Sequence, residues 1–225
     1  MREVVLDTET TGLDPGLGHR VVEVGCVELL NHVPTGRTLQ VYINPDREMP
    51  VEAFEIHGLS DEFLADKPRF HQAVDEILEF LAESRLVIHN AGFDLRFLNA
   101  ELAALDLPGI PNARAVDTVQ LARAKYPGAP ASLDALCRRF AIDASARSKH
   151  GALLDAELLA EVYLELIGGR QPDLTLDPSA AEATAAAPPP RQVRPPRPHA
   201  PSAGELAAHE AFLDAAVKEP IWRRS

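Results

Sequence analysis

The chain has 225 residues, 46% of them apolar, so it is long enough for one full-sized hydrophobic core. Its 22 Lys and Arg against 34 Asp and Glu give a formal net charge of −12, which argues against a large basic surface that would hold nucleic acid unaided. The chain has two cysteines without metal-type spacing, which excludes a disulfide framework. It has no apolar run of ~20 residues and no signal region, which predicts a cytoplasmic protein without membrane contact.

Three predicted strands open the chain, and helices alternate with strands after them. Short apolar runs with β-branched residues predict strands at residues 4–9, 21–30 and 39–43, and their close spacing favours an antiparallel meander. Two more strands are predicted at residues 86–89 and 115–117, and five helices at residues 74–82, 94–105, 118–125, 132–140 and 152–167. This order predicts an α/β domain over residues 1–170, with a mixed five-stranded sheet flanked by helices.

The rest of the chain has a different composition. Residues 177–204 are predicted to be a disordered, flexible linker, because segment 177–203 holds eight Ala and eight Pro and little apolar surface to offset the entropy of ordering. Residues 205–222 regain an amphipathic pattern with Phe212 and Trp222 at its apolar positions. This pattern predicts a short helix that needs a partner, since an isolated helix of this size is marginal in water.

Two carboxylates lie on one face of the first predicted strand. Side chains alternate along a strand, so Asp7 and Glu9 share a face and lie about 6.6 Å apart at ~3.3 Å per residue. A solvated strand end is the alternative interpretation of this pair. Asp94 heads the apolar stripe of a predicted helix, where it either joins a buried site or only complements the positive end of the helix dipole.

Asp155 also heads an apolar stripe, but from inside the last predicted helix. No Lys or Arg lies between Ala152 and Gly169, so no local ion pair is available to it. A buried ionised carboxylate needs a partner or a metal ion. A protonated carboxyl group or a distant partner is the alternative to a metal site.

Four carboxylates therefore predict a cage for cations. Carboxylate oxygens suit two Mg²⁺ or Mn²⁺ ions, which clamp the attacking and leaving oxygens in phosphoryl transfer. The cage would consist of Asp7, Glu9, Asp94 and Asp155. His150, five residues before the last of them, is a candidate general base for water, and a surface-loop histidine is the alternative.

Three segments, in this order, resemble the three motifs of the DEDD 3′–5′ exonucleases in their histidine form. They are residues 5–13 (VLDTETTGL), 89–94 (HNAGFD) and 150–155 (HGALLD). The resemblance extends over residues 4–167 and, within the family, is most specific to the proofreading epsilon subunits of bacterial DNA polymerase III. It implies a ribonuclease H-like exonuclease fold and a 3′–5′ DNA exonuclease that proofreads and releases 5′-mononucleotides.

The resemblance also implies a role for each motif residue. Asp7, Glu9 and Asp155 would hold the metal ion that activates water. Asp7 would bridge to a second ion, which Asp94 would support. His150 would deprotonate the attacking water.

Further residues match the family outside these five. Glu52 and His57 match residues that contact the terminal nucleotide. Thr8, Thr10 and Asn90 would orient ligands or substrate, and capping of a helix or strand is an equal interpretation of each.

The resemblance extends to the partners of the chain. Residues 171–176 (QPDLTL) are similar to a sliding-clamp-binding peptide, although Leu176 stands where Phe is often found. Residues 205–222 resemble the tether that binds the polymerase III alpha subunit. A small third core subunit and a DNA 3′ end are the remaining expected partners.

Three other functions stay open at this point. An RNA-directed 3′–5′ exonuclease of the same family would use the same cage. An inactive module that bridges clamp and polymerase would need only the tail. A small-molecule phosphatase could use the cage as well, but it would not explain the tail.

Overall fold

The computed structural model describes residues 1–145, 149–169 and 200–216. One mixed sheet organises the first of the two units into which the chain divides. Its strands are β1 (Arg2–Thr10), β2 (Val21–Leu30), β3 (Val33–Tyr42), β4 (Arg85–Ile88) and β5 (Ala115–Asp117). Their order is β3-β2-β1-β4-β5, with antiparallel pairs among the first three and parallel pairs from β1 to β4 and from β4 to β5. The predicted meander and the mixed five-stranded sheet are confirmed.

In the described part of the first unit, seven helices and two short 3₁₀ turns connect and cover these strands. The helices are α1 (Val51–His57), α2 (Asp61–Leu64), α3 (Phe70–Leu81), α4 (Ala91–Ala103), α5 (Thr118–Lys125), α6 (Leu133–Phe140) and α7 (Ala152–Leu166). The 3₁₀ turns are Pro15–Leu17 and Asn112–Arg114. The helices predicted at residues 118–125, 132–140 and 152–167 are confirmed to within one residue at each end.

The strand alternation of β1 divides the core into two layers. Val4 and Leu6 pack on one side of the sheet with α3 and α4, while Val5 packs on the other side with α6 and α7. The odd-numbered side chains of β1 therefore face α7, and Asp7 and Glu9 continue this face beyond Val5. The sheet thus directs both carboxylates towards the helix that carries the third motif.

Strand β3 is longer than predicted. It begins at Val33 rather than at residue 39. The six residues that were missed are exposed on the edge of the sheet. Thr35 and Arg37 in this stretch hydrogen-bond to Glu28 on the neighbouring strand. An exposed polar edge has no apolar alternation, so sequence patterns mark only the buried end of the strand.

Two helices were not predicted at all. In α1 the apolar side chains of Val51, Phe54 and Ile56 are exposed, whereas Ala53 and His57 are buried. Such a helix shows no apolar stripe with helical spacing. Helix α2 has only four residues and is marked mainly by its Ser60 cap, which accepts from the Phe63 amide.

The second unit contains helix α8 (Ala203–Ala216), which overlaps the segment 205–222 where a helix was predicted and begins two residues earlier, within the predicted linker. Its start is a capping box, in which Ser202 accepts from the Glu205 amide and the Glu205 carboxylate accepts from the Ser202 amide. The predictions for the clamp-binding peptide 171–176, for residues 177–199 of the linker and for residues 217–225 lie outside the described residues. Within the described ranges, no helix combines the length and apolar character needed to cross a membrane.

Candidate active site

All five predicted catalytic residues meet at one edge of the sheet. Asp7 and Glu9 lie towards the end of β1, Asp94 is in the first turn of α4, and Asp155 is in the first turn of α7. The potential ligand atoms of Glu9, His150 and Asp155 lie within 4.8 Å of one another. Asp155 thus lies inside the helix rather than at its cap, as the sequence indicated, and it is buried as expected.

The environment of Asp7 is dominated by other carboxylates. Burial raises the pKa of Asp7 well above its ordinary value, and the charges of Asp94, Glu9, Asp155 and Glu23 raise it further. All of these influences act in the same direction. A cluster of oxygen donors in which the negative charges repel one another fits divalent cations such as Mg²⁺ or Mn²⁺.

The ionisation of Asp94 is disfavoured as well. Burial raises its pKa to about 7, although a hydrogen bond donated by the Thr8 hydroxyl, 2.7 Å from Oδ1, acts in the opposite direction. Of the two interpretations of Thr8, the structure therefore supports the one in which it orients a ligand residue. A cation beside Asp94 would favour the ionised form that burial disfavours.

His150 stands at the mouth of this cluster. Its Nδ1 atom lies 3.1 Å from Oδ2 of Asp155, and about half of its side chain is exposed. An Nδ1–H donated to this carboxylate places the basic lone pair of the imidazole on Nε2, the form that a general base requires. The backbone amide of His150 donates to the carbonyl of Ile56, which ties the loop before α7 to α1.

Glu52 and His57 line a cavity of about 530 Å³ beside the carboxylates, and Glu9 lines the same cavity. Burial lowers the pKa of His57, and its Nδ1 accepts from the Leu59 amide, so the neutral ring carries its proton on Nε2. Leu17 is an exposed apolar residue at the rim. Apolar surface and directed polar groups in one cavity suit a nucleotide.

Thr10 and Asn90, which were open to two interpretations, differ in the structure. The Thr10 hydroxyl donates to the Gly12 carbonyl, which is a local backbone contact. Asn90 precedes α4 in the left-handed region, with φ of 67°, and its side chain makes no capping bond. Its backbone amide instead donates to Asp117, which also caps α5.

Sequence reasoning missed a pair of residues that hold α7 in place. The Glu23 carboxylate on β2 accepts from the Ala152 amide at 3.1 Å and from the Gln40 side chain at 2.8 Å. A Cβ atom on Gly25 would lie 2.2 Å from the backbone of Ala152 and Leu153, so only glycine permits this approach. The available signal was that Glu23 and Gly25 interrupt the apolar residues in the first half of β2.

We predict that Glu23→Ala weakens the binding of Mn²⁺ about 10-fold, as loss of a residue that supports metal ligands does. The α7 amides would lose their acceptor, and Asp155 and His150 would lose their fixed position. Glu23→Gln keeps an acceptor oxygen and should stay near the wild type. Calorimetric titration with Mn²⁺ measures the affinity, and wild-type binding by the alanine variant would contradict the role.

We further predict that the metal-free protein becomes less stable as pH rises through the range in which Asp94 titrates. The pKa of Asp94 is about 7 in the folded protein against 3.8 ordinarily, so the folded state retains a proton that the unfolded state releases. Its contribution to the free energy of unfolding is full below pH 3.8, declines as pH rises and is lost above about 7.

Thermal unfolding in EDTA across this interval measures the effect. Asp94→Asn removes the titrating group but keeps an oxygen for the Thr8 hydroxyl, so its melting temperature should fall less steeply with pH. An unchanged slope in this variant would contradict the assignment to Asp94.

Comparison with known proteins places this geometry in a family. Residues 4–163 match the model of the RNase_T family, which is described as exonuclease. The chain belongs to this exonuclease family. It is 57% identical over 174 residues to the DNA polymerase III subunit epsilon of Rickettsia conorii, covering 76% of each chain. The DNA polymerase III subunit epsilon of Escherichia coli K12 is 47% identical over 176 residues, covering 75% of this chain and 72% of that one.

A solved structure agrees with these relatives. Exonuclease X in complex with 5′ overhanging duplex DNA superposes with a TM-score of 0.57 at 25% identity, covering 74% of this chain and 91% of that one. The expected ribonuclease H-like fold and the expected 3′–5′ proofreading exonuclease are confirmed. Dependence on a divalent metal ion is general in this family.

Proposed function

We propose that this exonuclease removes mispaired nucleotides from DNA 3′ ends as a subunit of the replicative DNA polymerase, and that it works by two-metal hydrolysis. The observation that carries the proposal is the meeting of four carboxylates and a histidine beside a cavity of nucleotide size. The carboxylate oxygens favour Mg²⁺ or Mn²⁺ as the two ions. A replicative partner implies a cytoplasmic location.

The four carboxylates would divide between two ion positions. Asp7, Glu9 and Asp155 would hold one ion, and Asp7 and Asp94 the other. When bound, the two ions lower the pKa of a coordinated water and neutralise the charge that develops on the phosphate. Thr8 holds the Asp94 carboxylate through its hydrogen bond, and Glu23 holds the helix that presents Asp155.

His150 takes the proton from the attacking water. Its contact with Asp155 fixes the ring and favours the Nδ1–H tautomer, so that Nε2 is the accepting atom. Its half-exposed position lets the proton pass on to solvent after each cleavage. Attack on the terminal phosphodiester then releases a 5′-mononucleotide.

The cavity lined by Glu52 and His57 would receive the terminal nucleotide. His57 Nε2–H would donate to it, and the exposed apolar side chains at the rim would contact its base. The strand must separate from its template to enter this cavity. Separation costs least at a mismatch, so selectivity for errors follows from the state of the primer end.

Digestion of a 5′-labelled DNA primer with a mismatched 3′ end tests the proposal. We predict a ladder that shortens from the 3′ end with Mg²⁺ or Mn²⁺ and stops with EDTA. Asp7→Ala should abolish it without unfolding the domain, because it removes the ligand shared by both ions. His150→Ala should retain metal binding and slow cleavage by about 10²–10⁴-fold, the usual contribution of a general base.

Three results would contradict the proposal. Near-wild-type turnover by Asp7→Ala would refute the assigned site. Faster removal from an RNA 3′ end than from a matched DNA end would favour an RNA-directed exonuclease instead. No shortening, even with the polymerase present, would favour an inactive module that bridges clamp and polymerase.

The tail would connect the exonuclease to its partners. Residues 1–170 carry a net charge of −11, which disfavours stable binding to DNA by the domain alone. Binding of residues 205–222, including most of α8, to the polymerase III alpha subunit would raise the effective concentration of the primer end to roughly the mM range. Residues 171–176 would contact the sliding clamp, and a small third subunit would complete the core.

We predict that deletion of residues 177–225 separates these two functions. The truncated protein should degrade short oligonucleotides at the wild-type rate, because it keeps the whole site. It should no longer co-elute with the polymerase in gel filtration. Undiminished co-elution would show that the tether lies elsewhere.

A further inference from the structure

A third cavity opens beside the catalytic carboxylates. It has a volume of about 650 Å³ and lies between the start of α4, α5 and the loop before α6. It shares His89 and Ser132 with the cavity that Asp7, His150 and Asp155 line. We call it the α5 groove, and its polar lining residues include Asn90, Gln120 and Arg123.

The α5 groove and the nucleotide cavity share no lining residue, and both adjoin the carboxylate cluster. The nucleotide cavity adjoins the cluster through Glu9, and the α5 groove adjoins the same cluster through His89. A strand whose last nucleotide occupies the first cavity and whose terminal phosphodiester lies at the carboxylates can therefore continue into the groove. The groove has no part in the proposed chemistry.

Arg123 gives the α5 groove a positively charged side chain, which the two neighbouring cavities lack. Among the described residues that line these three cavities, it is the one Lys or Arg. Its side chain is exposed and makes no hydrogen bond or ion pair within the described part of the chain. A free guanidinium next to a cluster of carboxylates is a suitable contact for a phosphate that must pass close to them.

The position of Arg123 fits a phosphate upstream of the scissile one. It lies on the face of α5 that lines the groove, together with Gln120. His89 lines both this groove and the cavity of the catalytic carboxylates, whereas Arg123 does not line the latter cavity. Arg123 is therefore placed to contact the strand outside the catalytic site.

Asn90 supplies a second polar group on the same wall. It is held in the left-handed region by a hydrogen bond from its backbone amide to Asp117, and its side chain is left out of helix capping. Residues other than glycine that are held in the left-handed region concentrate at functional sites. An exposed amide and a guanidinium on one wall are donors that suit a sugar–phosphate backbone.

We propose that the α5 groove binds single-stranded DNA immediately upstream of the terminal nucleotide, with Arg123 contacting a backbone phosphate. The proposal rests on the proposed function, because it extends the path of the same strand. Arg123 is a binding residue for the strand and takes no part in cleavage.

The test compares two substrates that differ in whether they reach the groove. One is a single-stranded DNA oligonucleotide, and the other is the p-nitrophenyl ester of thymidine 5′-monophosphate, which has no upstream nucleotide. For Arg123→Gln we expect kcat/KM on the oligonucleotide to fall about tenfold, as loss of one exposed charge-assisted contact does. Hydrolysis of the ester should not change.

The salt dependence of kcat/KM distinguishes a lost phosphate contact from a purely structural effect, which would not change it. Loss of one phosphate contact should reduce the slope of log kcat/KM against log salt concentration by about 0.7. Arg123→Lys should restore most of the slope. Arg85→Ala is the matched control, since it removes one exposed positive charge at the opposite end of β4 and should leave both substrates and the slope unchanged.

Each other outcome overturns the proposal. Unchanged oligonucleotide kinetics and salt slope in Arg123→Gln would show that no phosphate meets this residue. An equal loss on both substrates would show that Arg123 acts on the catalytic site. A wild-type protein that cleaves neither substrate would overturn the proposed function first, and the strand path with it.

Discussion

Repulsion among buried carboxylates is the constraint to which the rest of this structure responds. Asp7 lies among Asp94, Glu9 and Asp155, and each of these charges opposes its ionisation. Such a cluster is costly in an apolar core and becomes favourable only when cations share it. The fold keeps these groups together because each is attached to an element whose position is fixed by packing elsewhere.

Two kinds of attachment are visible. Asp7 and Glu9 belong to the central strand, whose preceding residues Val4 and Val5 are fully buried on opposite sides of the sheet. Asp94 and Asp155 lie in the first turns of helices, where the backbone dipole favours negative charge. The close contact of β2 with the start of α7 then fixes how near Asp155 lies to the carboxylates of β1.

Much of this site is readable from the sequence, since it depends on local periodicity. The period of two places Asp7 and Glu9 on one face, and the helical stripes place Asp94 and Asp155 on buried faces. The five strands follow from similar patterns, except for the exposed part of β3. The local sequence pattern is sufficient to predict an element wherever its buried residues recur with the period of a strand or a helix.

Other features depend on contacts between distant parts of the chain, and periodicity does not report these. Glu23 meets an amide 129 residues away, so its role is invisible before the fold is known. Arg123 is an ordinary exposed helix residue until the cavity beside it is seen. Glu52 and His57 lie on a helix without an apolar stripe, and only the family resemblance indicated them.

The hydrogen bond from the His150 amide to Ile56 has a mechanical consequence. The helix α1 ends at His57, one residue later, and the same helix carries Glu52. The proposed proton acceptor and the proposed nucleotide-binding wall are therefore connected through one short helix. Any movement of that helix on binding or release at the cavity would therefore be transmitted to the loop that carries His150.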